Sequence, residues 1–118
     1  MNKIINSFKY AIIGIITSFR TERNMKIHIF ITLLVILIGF LLKISKIEWI
    51  LCVFAIAMVI SAELFNTSIE TIVDMITTEK NEKAKIAKDV SAGAVLITAI
   101  WAAVVGMMIF LPKVMQIF

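Results

Sequence analysis

Residues 47–76 read IEWILCVFAIAMVISAELFNTSIETIVDMI, and this stretch decides the fold. Its first half is almost continuously apolar and includes Trp49, whereas most of its polar side chains follow Ser61. About 20 helical residues cross the hydrocarbon core of a bilayer. A helix over 47–76 is therefore long enough to cross the membrane and to protrude on one side, and Trp49 marks its outer interface.

Two further apolar stretches flank this segment. The first covers 27–42 between Lys26 and Lys43, and the other covers 90–111 and stops at Pro112. The first is short for a span, but lysines at both of its ends can extend to the interface. We therefore predict an all-α integral membrane protein with transmembrane helices at about 27–42, 47–76 and 90–111.

The composition leads to the same class of protein. Of the 118 residues, 61% are hydrophobic and 17% are charged, against roughly 45–50% and 25% in soluble domains. We predict a single membrane domain over residues 1–118. The basic residues behind the net charge of +4 lie beside apolar runs, so they indicate a membrane surface and no nucleic acid.

The distribution of basic residues predicts the orientation. Residues 1–26 carry five lysines and arginines and 77–89 carry four, whereas 43–46 carry two and the C-terminal tail one. By the positive-inside rule, the N-terminus and a mobile loop at 77–89 are cytoplasmic, and the C-terminus lies outside the cell membrane. Residues 4–20 are apolar with interspersed polar residues and predict an amphipathic helix on the inner membrane surface, with a frayed N-terminal arm as the alternative.

Four polar residues share one face of the middle helix: Glu63, Asn66, Glu70 and Asp74 lie within about 80° of one another at about 100° per residue. Glu63 lies about 21 Å from Trp49, inside the hydrocarbon region near its cytoplasmic boundary, and the two later carboxylates lie about 10 and 16 Å further along. A carboxylate at that depth costs several kcal/mol unless it has a partner, a metal or a polar cleft. The alternative is a purely structural carboxylate that is hydrogen-bonded across helices.

Further acids and lysines are expected at the cytoplasmic level. Glu22 precedes the first span, Glu79 lies in the loop, and Lys88 and Asp89 precede the third span. Carboxylates without a Cys or His cluster suit Mg²⁺, and lysines beside them suit a polyphosphate, so MgATP meets both demands. The four glycines are far apart and form no P-loop.

Other polar or reactive residues are given structural roles. Thr67 and Ser68 are interpreted as helix-packing or back-bonding hydroxyls. His28, at the start of the first span, is interpreted as an interfacial side chain rather than a ligand. Cys52 is the only cysteine, so it forms no intrachain disulfide, and it is interpreted as a small core residue.

Three motifs carry a resemblance to a known family. ERNMKIH at 22–28, AELFNTSIETIVD at 62–74 and KDVSAGAVL at 88–96 resemble the small prokaryotic diacylglycerol kinase family, which includes the undecaprenol kinases. The resemblance extends over nearly the whole chain. It implies a surface helix plus three transmembrane helices, assembled as a homotrimer with sites shared between protomers.

The resemblance also implies roles for individual residues. Glu63 matches the catalytic base, which also contacts the lipid, and Glu22 and Glu70 match metal-binding carboxylates that contact the nucleotide as well. Asn66 would orient Glu63 or a phosphate oxygen, and Ala92 takes a lipid-contacting position. Lys3 stands where the family can have an arginine, so a bidentate phosphate grip is lost there. Nucleotide contacts are implied at Lys3, Tyr10, Glu79, Lys80, Asn81, Lys88 and Asp89.

The expected activity is transfer of the γ-phosphate of MgATP to a lipid hydroxyl at the inner leaflet. The ERNMKIH form of the first motif resembles the branch that prefers undecaprenol, so undecaprenyl phosphate is the expected product. The alternative is a diacylglycerol kinase that makes phosphatidic acid. A non-enzymatic ion pathway or scaffold is a third possibility, and it would show no lipid-dependent ATP consumption.

Overall fold

The computed structural model describes residues 1–118 as four α-helices without a strand. The last three helices are long and apolar enough to cross a membrane, which confirms the all-α class with three spanning helices. The helices are α1 (Asn2–Thr21), α2 (Arg23–Leu41), α3 (Lys46–Ile76) and α4 (Glu82–Ile117).

Helices α3 and α4 form an antiparallel hairpin along their whole length. At one end the Lys113 ammonium lies 3.2 Å from Glu48 Oε1, and at the other Lys88 Nζ lies 2.7 Å from Asp74 Oδ1. Between these ends Cys52 belongs to the main apolar cluster, as predicted for a core residue. The hairpin therefore sets the polar half of α3 against the first turns of α4.

The connection between α2 and α3 is a tight turn with specific capping. The Ile44 amide donates to the Gly39 carbonyl at 3.2 Å, while Lys43 adopts the left-handed conformation with φ 52°, which ends α2 in a Schellman motif. Ser45 then begins α3, and its side chain and that of Glu48 cap each other's backbone amides. This turn aligns α2 alongside α3.

Gly39 permits a close contact between α2 and α3. A Cβ at this position would lie 2.7 Å from Cη2 of Trp49, which is closer than carbon atoms approach one another. The Trp49 ring also packs on Phe40, with ring centroids 4.9 Å apart. The absence of a side chain at Gly39 therefore lets the indole lie between the two helices.

Most apolar side chains point away from the chain's own interior. Only 13 of the 118 residues are buried, so the chain covers little of its apolar surface by itself and presents it to lipid or to other chains. Helix α1 exposes Ile4, Ile5 and Phe8 and is buried only at Ser18, near its end. It is a continuous helix rather than a frayed arm.

The two ends of α4 differ from the sequence-based expectation. Residues 82–89 were predicted as loop, but α4 begins at Glu82 because Asn81 Oδ1 accepts from the Ala84 amide as an N-cap. At the other end the helix continues through Pro112 to Ile117. Proline removes one backbone donor, a loss that membrane helices tolerate. The connecting segment is therefore only 77–81.

Candidate functional site

The four polar residues of α3 form one stripe, as predicted, and their exposure increases along it. Glu63 is completely buried and Asn66 is 5% exposed. Glu70 is half-buried, and the Asp74 side chain is 55% exposed. The stripe therefore has a deep end with a single carboxylate and a shallow end that is open to charged partners.

A chain of hydrogen bonds fixes the middle of the stripe. Asn66 Nδ2 donates to Glu70 Oε1 at 3.2 Å, and Asn66 Oδ1 accepts from the Ser91 hydroxyl of α4 at 2.7 Å. Both ends of the Asn66 amide are therefore occupied, which determines its orientation. Ser91 was not predicted as a site residue, although a hydroxyl one turn after Lys88 is a recognisable helix-contact residue.

The shallow end of the stripe is an ion pair between α3 and α4. Lys88 Nζ donates to Asp74 Oδ1 at 2.7 Å. A second pair on α4, Lys85 with Asp89, has an N–O distance of 2.6 Å and is well exposed.

The deep end of the stripe has one nearby imidazole partner. Neither oxygen of Glu63 has a hydrogen bond, but His28 Nε2 of α2 lies 3.5 Å from Glu63 Oε2. His28 therefore has a partner on α3, and its interfacial position in the membrane stays a prediction. It shares the α2 face of the fully buried Met25, and this face packs toward α3 rather than outward.

The corner between α1 and α2 lies beside this deep end. The Ser18 hydroxyl is 3.5 Å from the hydroxyl of Thr67, which donates back to the Glu63 carbonyl at 3.0 Å, as predicted for a back-bonding residue. Four residues later, Glu22 occupies the corner itself and is half-buried. Glu22 and Glu70 both lie close enough to act electrostatically on the Glu63 carboxylate.

A polar cavity of about 650 Å³ lies beside the shallow end of the stripe, within the size range of small-ligand sites. Five residues with predicted nucleotide contacts line it, together with Asp74 and Lys85. Because the Asn81 side chain caps α4, it offers little to a ligand. The five are Glu79, Lys80, Asn81, Lys88 and Asp89.

Three other predicted site residues lie elsewhere. Lys3 and Tyr10 are exposed on α1, and neither lines the polar cavity of its own chain. Ala92 is exposed on α4, next to the buried Ser91. Their predicted contacts with nucleotide and lipid stay predictions.

The second cavity is an apolar groove of about 610 Å³ between α2, α3 and α4. Fourteen of its 17 lining residues are hydrophobic, and His28 is one of the few polar ones. The α4 side of the groove includes the small side chains of Ala99, Ala102 and Ala103, which leave the groove open. The groove therefore reaches His28, whose Nε2 lies 3.5 Å from Glu63 Oε2, although Glu63 itself does not line it.

The carboxylates offer a limited set of metal ligands. No group of three or more His, Cys, Asp or Glu side chains is gathered tightly enough to hold a metal ion. Mg²⁺ characteristically takes one or two protein carboxylates together with water and phosphate oxygens. The predicted ligands Glu22 and Glu70 are two in number, as that pattern requires, and their binding of a metal stays a prediction.

Comparison with known proteins gives consistent results. The family model for prokaryotic diacylglycerol kinase matches residues 9–110. The chain is 42% identical to an undecaprenol kinase of Bacillus subtilis over 96% of this chain and 92% of the relative. It is 38% identical to a diacylglycerol kinase of Synechocystis over 97% and 66%, and 35% identical to one of Haemophilus influenzae over 82% of both chains.

Proposed function

The chain belongs to the prokaryotic diacylglycerol kinase family, and we propose that it transfers the γ-phosphate of ATP to the hydroxyl of undecaprenol at the inner leaflet of the cell membrane. The observation that carries this proposal is the position of Glu63. It is a buried carboxylate without a hydrogen bond, between an apolar groove and a helix stripe that leads to a polar, lysine-lined cavity. A lipid alcohol and a nucleotide are the two substrates that such surroundings suit.

The acceptor side is the apolar groove. A long-chain alcohol keeps its chain among hydrophobic side chains while its hydroxyl stays at a polar boundary. His28 is the polar boundary of the groove and lies 3.5 Å from Glu63. The part of the lipid chain next to the hydroxyl therefore occupies the groove, and the hydroxyl faces Glu63.

The donor side is the polar cavity. Lys80, Lys85 and Lys88 supply positive charge to a triphosphate. Glu22 and Glu70 would hold Mg²⁺, which when bound neutralises charge on the phosphate oxygens. Because Glu70 lies between the cavity and Glu63 along α3, the nucleotide extends along the stripe with its phosphates toward the deep end.

Phosphoryl transfer from ATP to the lipid hydroxyl requires one general base, which is Glu63. Glu63 accepts the proton of the lipid hydroxyl as that oxygen forms a bond to the γ-phosphorus. The bond from the γ-phosphorus to the β–γ bridging oxygen breaks, and ADP leaves. Lys88 offsets charge on the phosphoryl group, and Asn66 keeps Glu70 in place through its hydrogen bond.

We further propose a homotrimer with shared sites, oriented with the N-terminus and residues 77–89 in the cytoplasm and the C-terminus outside. The outward apolar surface of every helix supports assembly within the bilayer. Lys3 and Tyr10 do not line the cavity of their own chain, which agrees with contributions between protomers. Cytoplasmic ATP and the lysines of 77–89 require the cavity to face inward.

The lipid acceptor can be tested directly. One relative is an undecaprenol kinase, whereas others are diacylglycerol kinases, so diacylglycerol is the second candidate and phosphatidic acid its product. Purified protein should be assayed with ATP and equal mole fractions of each lipid in the same detergent micelles. We expect faster phosphorylation of undecaprenol, and markedly faster turnover of diacylglycerol would reverse the assignment.

The general-base role is tested by Glu63→Gln. We expect turnover to fall by at least about 100-fold, the lower range of general-base contributions, while ATP binding persists. Glu48→Gln is the matched control, because it makes the same change on the same helix and glutamine also completes a capping box. A Glu63→Gln protein with more than about a tenth of wild-type turnover would refute the role. Wild-type protein without lipid-dependent ATP consumption would instead indicate an ion pathway or scaffold.

A further inference from the structure

We propose that His28 is a positioning residue for Glu63, and that its imidazole Nε2–H holds the buried carboxylate in the orientation that receives the proton of the lipid hydroxyl. This inference rests on the proposed function, because it assigns a task to the group beside the general base. It adds a residue of α2 to the surroundings of the general base, since His28 belongs to α2 and Glu63 to α3.

The Glu63 carboxylate lacks a hydrogen-bond partner that would orient it. Its residue is completely buried, and neither carboxylate oxygen has a hydrogen bond. Asn66, the nearest amide along the stripe, uses one Nδ2 hydrogen for Glu70 and its Oδ1 for Ser91, so only its second amide hydrogen remains. Thr67 gives its hydroxyl hydrogen to the Glu63 carbonyl, not to the carboxylate. An unheld carboxylate would occupy several rotamers and present its oxygens poorly to a reacting hydroxyl.

The geometry of His28 also suits it to orient Glu63. Its Nε2 lies 3.5 Å from Glu63 Oε2, a few tenths of an ångström beyond an ordinary N–H···O bond, so a small side-chain movement forms the bond. The Thr32 hydroxyl, one turn later on α2, donates to the His28 carbonyl at 2.8 Å and so holds the His28 backbone. The imidazole is 18% exposed and lines the apolar groove. It therefore lies at the boundary between the groove and the buried carboxylate.

The kinetic test compares three variants. His28→Leu removes the donor, whereas His28→Gln keeps an N–H near the position of Nε2. Asn24→Leu is the control for loss of a polar side chain on α2, because Asn24 is exposed and outside both cavities. We expect His28→Leu to lower kcat about 100-fold, the scale of a misplaced catalytic group, without changing the KM for ATP. His28→Gln should recover most of that loss, and Asn24→Leu should match wild type.

A spectroscopic test does not depend on the activity of the variants. His28 is the only histidine of the chain, so ¹⁵N-imidazole labelling gives signals from one residue. Glu63→Gln should shift the His28 Nε2 resonance in the intact protein in micelles, and Glu48→Gln should leave it unchanged. This measurement decides the contact even where His28→Leu fails to fold.

The outcomes separate this inference from the proposed function. An active wild-type kinase with at least half of its kcat in His28→Leu overturns the role of His28 alone. Equal losses in His28→Gln and His28→Leu, or an Nε2 resonance that ignores Glu63→Gln, also overturn it. A wild-type protein that phosphorylates no lipid refutes the proposed function, and the resonance shift then still reports whether the contact exists.

Discussion

The hydrogen bond between Ser91 and Asn66 connects the stability of the α3–α4 hairpin to the site, and Ser91→Ala tests this connection. The 2.7 Å bond joins two buried side chains of different helices. Its loss leaves Asn66 Oδ1 without a donor, which costs about 1–3 kcal/mol in protein interiors. Bonds between membrane helices average about 0.6 kcal/mol with a maximum near 1.7. We therefore expect a loss of about 1 kcal/mol in the free energy of unfolding.

The assay is a double-mutant cycle of Ser91→Ala and Asn66→Ala, measured by reversible unfolding in detergent micelles. Thr98→Val is the control, because the Thr98 hydroxyl bonds only to its own helix at Val95. We expect Ser91→Ala also to raise the KM for ATP, since a released Asn66 amide no longer fixes Glu70. A coupling energy below about 0.3 kcal/mol, the scatter of independent sites, would refute the reasoning.

Further predictions concern packing, backbone strain and charge. Gly39→Ala should lower the midpoint of thermal unfolding, because the added Cβ lies 2.7 Å from the Trp49 ring and overpacking costs about 1–3 kcal/mol. A Cβ at Gly14 has nothing within 4 Å, so Gly14→Ala should stabilise α1 by up to about 1 kcal/mol. Lys43→Gly should raise the unfolding free energy by about 1 kcal/mol in chemical denaturation, since glycine adopts a φ of 52° without strain. Lys88→Met should raise the KM for ATP at least tenfold in a steady-state assay while the KM for lipid stays constant, because one charge-assisted phosphate contact is worth about 1.5–3 kcal/mol.

Helix number and the stripe of α3 could be predicted from the sequence because both depend on local periodicity. The apolar runs require helices in a bilayer, and a spacing of three, four and four residues places Glu63 to Asp74 on one face. The start of α4 was predicted wrongly because residues 82–89 are polar, and hydropathy marks where a helix enters lipid rather than where it begins. Asn81 as an N-cap was the available signal for the true start.

The partners of the stripe could not be predicted in the same way. Helix α2 is apolar on all sides, so its sequence does not indicate which face packs on α3. The face that carries His28 packs on α3, and the close approach of Gly39 to the Trp49 ring is one of the contacts between these two helices. Contacts of this kind involve residues without reactive groups. The sequence therefore does not show that they place His28 beside Glu63.

The gradient of burial along α3 explains why the proposed chemistry needs carboxylates at several depths. A charge costs more the deeper it lies, and the structure accordingly has one isolated carboxylate, Glu63, at the deep end. The lysines that suit a triphosphate line the cavity at the shallow end, beside the exposed Asp74. If the lysine-lined cavity were at the deep end instead, several charges would be buried, although the lipid hydroxyl needs only one base. In the observed order the charge of the nucleotide stays near water, and Glu63 alone lies at the depth of the lipid hydroxyl as its proton acceptor.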